Sequence, residues 1–261
     1  MTPENSNKSR LKGAMLAALA LFFLLAWQPV QAAKIDGWLL HQRLRIGGSV
    51  DLFLSKSALR LVLTKSGLVF VASAPWQEAY IYCKATGRIY RTSFSKLSSP
   101  YVGSMALFDG NILSQLKVVS RGKGETAGIT CKLFSELPGE DKRLIALYKR
   151  GEITGRTPAK LKYLVTDQLK LAPQIATAIS RFYALPDTGY VPLEFSFLNV
   201  ADEKGEELST SSCKAVKLNP ADFTPPPGLK AVTDSRLVLV PDQSDEENGI
   251  DLMMMGRTHT K

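Results

Sequence analysis

The chain has 261 residues, 45% of them apolar and 22% charged, with two histidines, three cysteines and a formal charge of +9. That balance excludes an intrinsically disordered polypeptide, which has too few apolar residues to build a core. Two histidines and three cysteines offer too few ligands at usable spacing for structural or catalytic zinc, and without a Cys-x-x-Cys pair there is no thioredoxin-type redox motif.

In chain order, Met1 to Gly13 is polar and carries Lys8, Arg10 and Lys12, and an unbroken apolar run follows from Ala14 to Trp27. The run is shorter than the roughly 20 residues a helix needs to cross a bilayer. Pro29 breaks it, and Val30-Gln31-Ala32 places compact residues where a signal peptidase reads. A cleavable secretory signal over residues 1–32 is expected, with cleavage near Ala32 and export to the periplasm or cell envelope. The alternative is an uncleaved anchor, which Trp27 and Pro29 could also end. The first cysteine is Cys83, so no new N-terminal cysteine is available for lipid attachment.

Without the signal the formal charge is about +7, and without the acidic last twenty residues it is about +10. A basic surface suits nucleic acid, anionic headgroups or acidic proteins, and export favours the last two. Lys84, Arg88, Tyr90 and Arg91 interleave cations with an aromatic ring, but an exported chain has no nucleic-acid partner to expect. Residues 33–240 are expected to form one monomeric domain, and residues 241–261, which have no apolar period, a disordered tail.

Ile35, Trp38, Leu39, Leu44 and Ile46, with polar residues between them, suggest a first amphipathic helix ending at Gly47-Gly48. Val50 to Leu54 opens a sheet. From Ser57 to Ser93 the residues then alternate: Leu59, Leu61 and Leu63 against Arg60, Val62 and Thr64, followed by Leu68, Phe70 and Ala72. Tyr80 and Tyr82 come next, and after them Ile89 and Arg91. The separators Lys65-Ser66-Gly67, Ala74-Pro75-Trp76 and Ala85-Thr86-Gly87 have the turn chemistry of an antiparallel meander.

Lys96 to Leu113 reads as a loop with a helical turn. Leu116 to Ser120 and Ala127 to Phe134 read as a strand pair around Arg121 to Glu125, and Leu144 to Tyr148 as a further strand before polar connecting chain at Gly151 to Lys160. The strongest helix is Leu169 to Ala184, where Leu171, Ile175, Ile179 and Phe182 or Tyr183 form one stripe, Pro173 suits a first turn and Pro186 stops the chain. Val191, Leu193, Phe195 and Phe197 alternate with Glu194 and Ser196. Leu208 to Leu218 returns as their hairpin partner.

Three cysteines in an oxidising compartment suggest one disulfide, with Cys83 to Cys131 slightly favoured because each lies in a strand-like run; three reduced, buried thiols are the alternative. Catalysis has little to stand on. A histidine-dependent site would have to use His41, since His259 lies in the tail, and no Gly-x-Ser-x-Gly motif or phosphate loop exists. Asp202, Glu203, Glu206 and Glu207 cluster at what reads as a solvated turn. No enzyme, cofactor or metal is expected.

At Asp222-Phe223-Thr224-Pro225-Pro226-Pro227-Gly228-Leu229-Lys230-Ala231-Val232 the chain resembles the close of LolA-like domains, the exported carriers of outer-membrane lipoproteins and their relatives. The order of elements from residue 34 to 240 is similar too. The resemblance implies an α+β, mostly β fold: a curved antiparallel half-barrel with helices lidding a concave face that holds acyl chains of a lipid or acylated protein. It also implies that a strand arginine latches the lid; Arg60 sits about where it would fall, though the proline and asparagine usual before it are absent. Independently, one helix cannot cover the whole apolar sheet face, so Leu61, Phe70, Ile175, Ile179, Phe182, Phe195 and Phe197 either line a ligand cavity or fill a core. The first choice gives an exported acyl-chain carrier. The second gives an envelope interaction module with a filled core and a basic docking face.

Overall fold

The computed structural model describes residues 33–100 and 110–241, so the expected signal and the tail beyond Pro241 lie outside the described residues. The alternation from Val50 to Ser93 becomes five consecutive antiparallel strands: β2 (Gly48–Ser55), β3 (Ala58–Leu63), β4 (Leu68–Ser73), β5 (Glu78–Cys83) and β6 (Arg88–Ser93). Their registers align Leu52, Leu61, Phe70, Ile81 and Tyr90 in one row across the inner face. A one-residue slip anywhere would turn that row outward, so burial fixes the register.

The expected first helix is instead a strand, β1 (Ile35–Leu44). Trp38, Leu40, Gln42 and Leu44 alternate with Leu39, His41 and Arg43, and strands on both sides satisfy the backbone: β2 on one and β11 (Lys204–Leu218) on the other. Gly37 permits this pairing, since a Cβ there would come 2.5 Å from the Leu54 carbonyl oxygen.

The second half of the sheet is β7 (Val118–Thr126), β8 (Ile129–Glu136), β9 (Pro158–Thr166) and β10 (Val191–Asn199), followed by β11. The expected turn at Arg121 to Glu125 lies inside β7. The chain reverses at Ala127-Gly128, both in the left-handed region at φ 51° and 72°. β7 tolerates its run of polar residues because it is an edge strand whose side chains reach solvent.

Leu144 to Tyr148, expected as a strand, lies in a helix. A short α1 (Gly110–Gln115) precedes β7, and α2 (Glu140–Lys149) carries Glu140 and Asp141 in its first turn and Lys149 in its last, as the helix dipole favours. Leu144 packs with Ala159 and Val200. The expected helix at Leu169 to Ala184 forms over the narrower span α3 (Pro173–Tyr183), with Pro173 opening it and Ala184 closing it in the left-handed region.

The sheet order is β12-β6-β5-β4-β3-β2-β1-β11-β10-β9-β8-β7, antiparallel throughout except where the short β12 (Lys230–Val232) joins β6 in parallel. This twelve-stranded sheet curves without closing, as a half-barrel, and α3 lies against its inner face. The proline-rich segment after Leu218 straps the outer face. Phe223 packs there with Ala58 and Leu218, and Leu229 packs with Val69, Val71 and Tyr82, before β12 reaches the edge.

Candidate functional site

The inner groove is the place to look first, because the sheet and α3 converge there. Leu61, Phe70, Ile175, Ile179, Phe182 and Phe195 all come together in one cluster, each between 0 and 1% exposed. Phe70 and Phe182 stack with ring centroids 4.8 Å apart and planes 9° apart, and Tyr163 meets Phe195 edge-on at 5.1 Å. Burying each such side chain contributes about 1.5–3 kcal/mol. These residues pack in one cluster, and a hollow of about 200 Å³ remains at the first turn of α3, among Thr166, Pro173, Ala176 and Val191. Only Phe197, half-buried at the end of β10, faces a sizeable hollow.

Polar ties pin both ends of α3. The Ala172 N–H donates to the Lys56 carbonyl at 3.1 Å, before the helix begins. At the far end the Tyr183 hydroxyl donates to Gln42 Oε1 at 2.6 Å. Gln42 Nε2 in turn donates to the Pro192 carbonyl and Thr210 Oγ1, each at 3.0 Å. Arg181 Nη1 donates to the Phe94 carbonyl at 2.9 Å, and the Tyr163 hydroxyl to that of Pro186 at 3.0 Å. Burial pushes the Tyr163 and Tyr183 phenols well above the ordinary tyrosine range, so both remain donors at any physiological pH.

Two site expectations need correcting. Arg60 is not a latch on α3. It alternates with the inner residues Leu59 and Leu61, so it stands on the outer face, its guanidinium 5.3 Å from the centre of the Phe53 ring. Arg181, reaching from α3 to Phe94, makes the tie expected of Arg60.

Nor do Cys83 and Cys131 pair: Cys83, Cys131 and Cys213 are all free thiols. Seven strands separate β5 from β8, and each sulfur points at a local carbonyl instead, Cys83 Sγ at Ser66 and Cys131 Sγ at Ile129. Burial raises the Cys131 thiol and pushes Cys213 up to about 11.

The residues best placed for proton chemistry lie elsewhere. His41 Nδ1 is 2.7 Å from Asp51 Oδ1, but the pair stands half-buried on the outer face, away from the hollows at Phe197, at α2 and beside α3. Among the described residues no group of three or more histidine, cysteine or acidic side chains is placed to hold a metal ion.

At the barrel end where β9 begins there is a hollow of about 350 Å³ between Arg45, Arg156, Phe197 and Lys204. Glu207, expected in solvent, is 6% exposed beside it and lies 2.8 Å from Arg45 Nε. It occupies the register shift between β10 and β11, a bulge that aims its side chain inward. Burial outweighs Arg45 and raises its carboxyl above the usual range. Nothing in the local sequence marks this hollow, because its lining comes from the turn after β1 and from α1, β9, β10 and β11.

Fold and groove together define a half-barrel protein whose interior is occupied by its own helix. No family model and no curated protein matches the chain. Similar solved structures include an uncharacterized conserved protein from Thermus thermophilus (12% identity, 76% of this chain and 90% of that one, TM-score 0.41). A MucA/MucB complex from Pseudomonas aeruginosa overlaps at 12% identity over 78% of this chain and 59% of that one, TM-score 0.36. A LolA superfamily protein from Nitrosomonas europaea overlaps at 10% identity over 76% and 92%, TM-score 0.22. At TM-scores below 0.5 these likenesses settle neither family nor function.

Proposed function

We propose that this chain is an exported, non-enzymatic interaction protein of the cell envelope, a half-barrel with a filled core that docks an acidic partner on its basic exterior. One observation carries the reading: α3 packs into the groove, with Phe182 stacked on Phe70 and six of the seven candidate lining residues at 0–1% exposed. Export is supported by the apolar run Ala14 to Trp27 behind Lys8, Arg10 and Lys12. The excess of cations favours an acidic partner or surface. The non-enzymatic part of the reading rests on His41, which stands on the outer face away from the hollows at Phe197 and beside α3.

A second reading, a carrier of acyl chains, has one observation in its favour. The filling is a single helix of eleven residues, and without it the apolar wall of β2 to β5 would lie open. Native mass spectrometry of the protein purified from its exporting host, before and after incubation with phospholipid vesicles, separates the two. The interaction reading expects one unliganded mass in both spectra. Discrete added masses matching lipids would overturn it in favour of the carrier.

A further inference from the structure

Two hollows lie side by side at the barrel end. One, of about 350 Å³, is floored by Phe197; the other, of about 330 Å³, lies between Leu116, Leu144 and Leu161; Pro158 borders both. α1 spans them, giving Leu113 to the first and Gln115 to the second. The Phe197 ring lies across Gly205, where a Cβ would come within 2.3 Å of it, so the floor depends on that glycine. A third hollow, of about 20 Å³, lies among Arg45, Phe182, Leu185 and Glu207, between the Phe197 hollow and the end of α3. That is room for roughly one water and not for an acyl chain.

The charges along the two hollows are unevenly satisfied. Every carboxylate is answered from within the chain. Glu203 accepts from Asn199 Nδ2 at 2.9 Å, and Glu207 faces Arg45. Glu136 accepts the Leu161 N–H at 2.7 Å, and Glu140 accepts from Arg143 Nε at 2.9 Å. Lys204 beside the first hollow has no ion pair among the described residues, and Lys117 beside the second feels the charge of Glu140 without pairing with it. The groove therefore has an apolar floor at Phe197 and, beside each hollow, a lysine outside any ion pair.

We infer that this groove takes an extended acidic segment of a partner protein, an apolar side chain of the segment resting on Phe197 and its carboxylates meeting Lys204 and Lys117. Two adjoining hollows suit consecutive side chains of a peptide, and the hollow beside Phe182, at about 20 Å³, is too small for a lipid tail. The inference rests on the interaction reading and adds to it where the partner sits and what it presents.

The test is a backbone-amide NMR titration of the exported protein with the acetylated peptide Glu-Glu-Phe-Glu-Glu and with Gln-Gln-Phe-Gln-Gln. The acidic peptide is expected to shift the amides of Lys204, Gly205, Leu116 and Lys117, and the neutral one to leave them unmoved. The double change Lys204→Glu and Lys117→Glu should weaken binding roughly fivefold or more. Arg43→Glu, on the outer face, should leave it unchanged. Shifts scattered over the surface, equal binding of the neutral peptide, or an unaffected double variant would overturn the assignment of the groove. An unliganded protein in native mass spectrometry with no localised shifts sinks the groove alone, whereas lipid adducts sink the interaction reading beneath it.

Discussion

From β2 to β5 the inner wall presents Leu52, Leu61, Phe70 and Ile81, all 0% exposed, and α3 packs on it through Phe182. At the end where β9 begins and β10 turns into β11, the same sheet leaves two hollows with cations around them. The first region is built from alternation alone, each strand repeating its neighbour. The second is built from a bulge, a glycine under an aromatic ring and residues from six separate elements, α1, α2 and β8 to β11. Dry, repetitive walls make stability, whereas irregular, charged ends are where a protein presents something to others.

The contrast can be broken most forcefully from the dry side. Phe182→Ala removes a fully buried ring stacked on Phe70 and should cost about 3–5 kcal/mol by urea denaturation, while Phe197→Ala, half-buried at the open end, should cost about 1 kcal/mol. Equal losses at the two positions would mean that the interior is not packed as described. Next in size, Gly205→Val should cost about 1–3 kcal/mol, because its side chain must push the Phe197 ring off the floor of the hollow.

A smaller effect depends on pH. Burial raises the Glu207 carboxyl above 4.5, so the folded chain holds that proton more tightly than the unfolded one. The stabilisation is complete below the unfolded value and is lost as pH rises through the folded one. Glu207→Gln should therefore gain stability relative to the parent as pH climbs from about 4.5 to neutrality, read as the difference between their urea midpoints. A difference that does not change with pH would show that Arg45 fully compensates the buried charge. Smallest of all, adding a thiol reductant should leave the unfolding midpoint where it is, and three thiols should titrate in the denatured, unreduced protein, because all three cysteines are free. A single titrating thiol would restore the disulfide expected from sequence.

The dry region was largely legible in the sequence. Strict alternation with turn residues between the runs located β3 to β6, the stripe of Ile175, Ile179 and Phe182 located α3, and Phe195 and Phe197 marked β10. The same alternation settles which way Arg60 points: between Leu59 and Leu61 it can only face outward, and the family resemblance suggested the opposite. β1 reads as a helix in the sequence because apolar residues at 35, 38, 39 and 44 also fit one. What decides the matter is pairing with β2 and β11, which are distant in sequence. In α2, the five apolar-rich residues Leu144 to Tyr148 are too few to show a helical period, although Glu140, Asp141 and Lys149 carried the helix charges. The paired hollows left no local trace. Glu207 looked like part of a solvated acidic turn, and only the bulge in β11 buries it.

The central claim is that α3 is part of the core and not a lid. Amide hydrogen exchange over Pro173–Tyr183, with and without anionic phospholipid vesicles, tests it most directly. If α3 is core, its amides exchange only when β3 to β5 also open, and vesicles change nothing. Exchange of α3 ahead of those strands, made faster by vesicles, would show a helix that leaves the groove to admit a ligand.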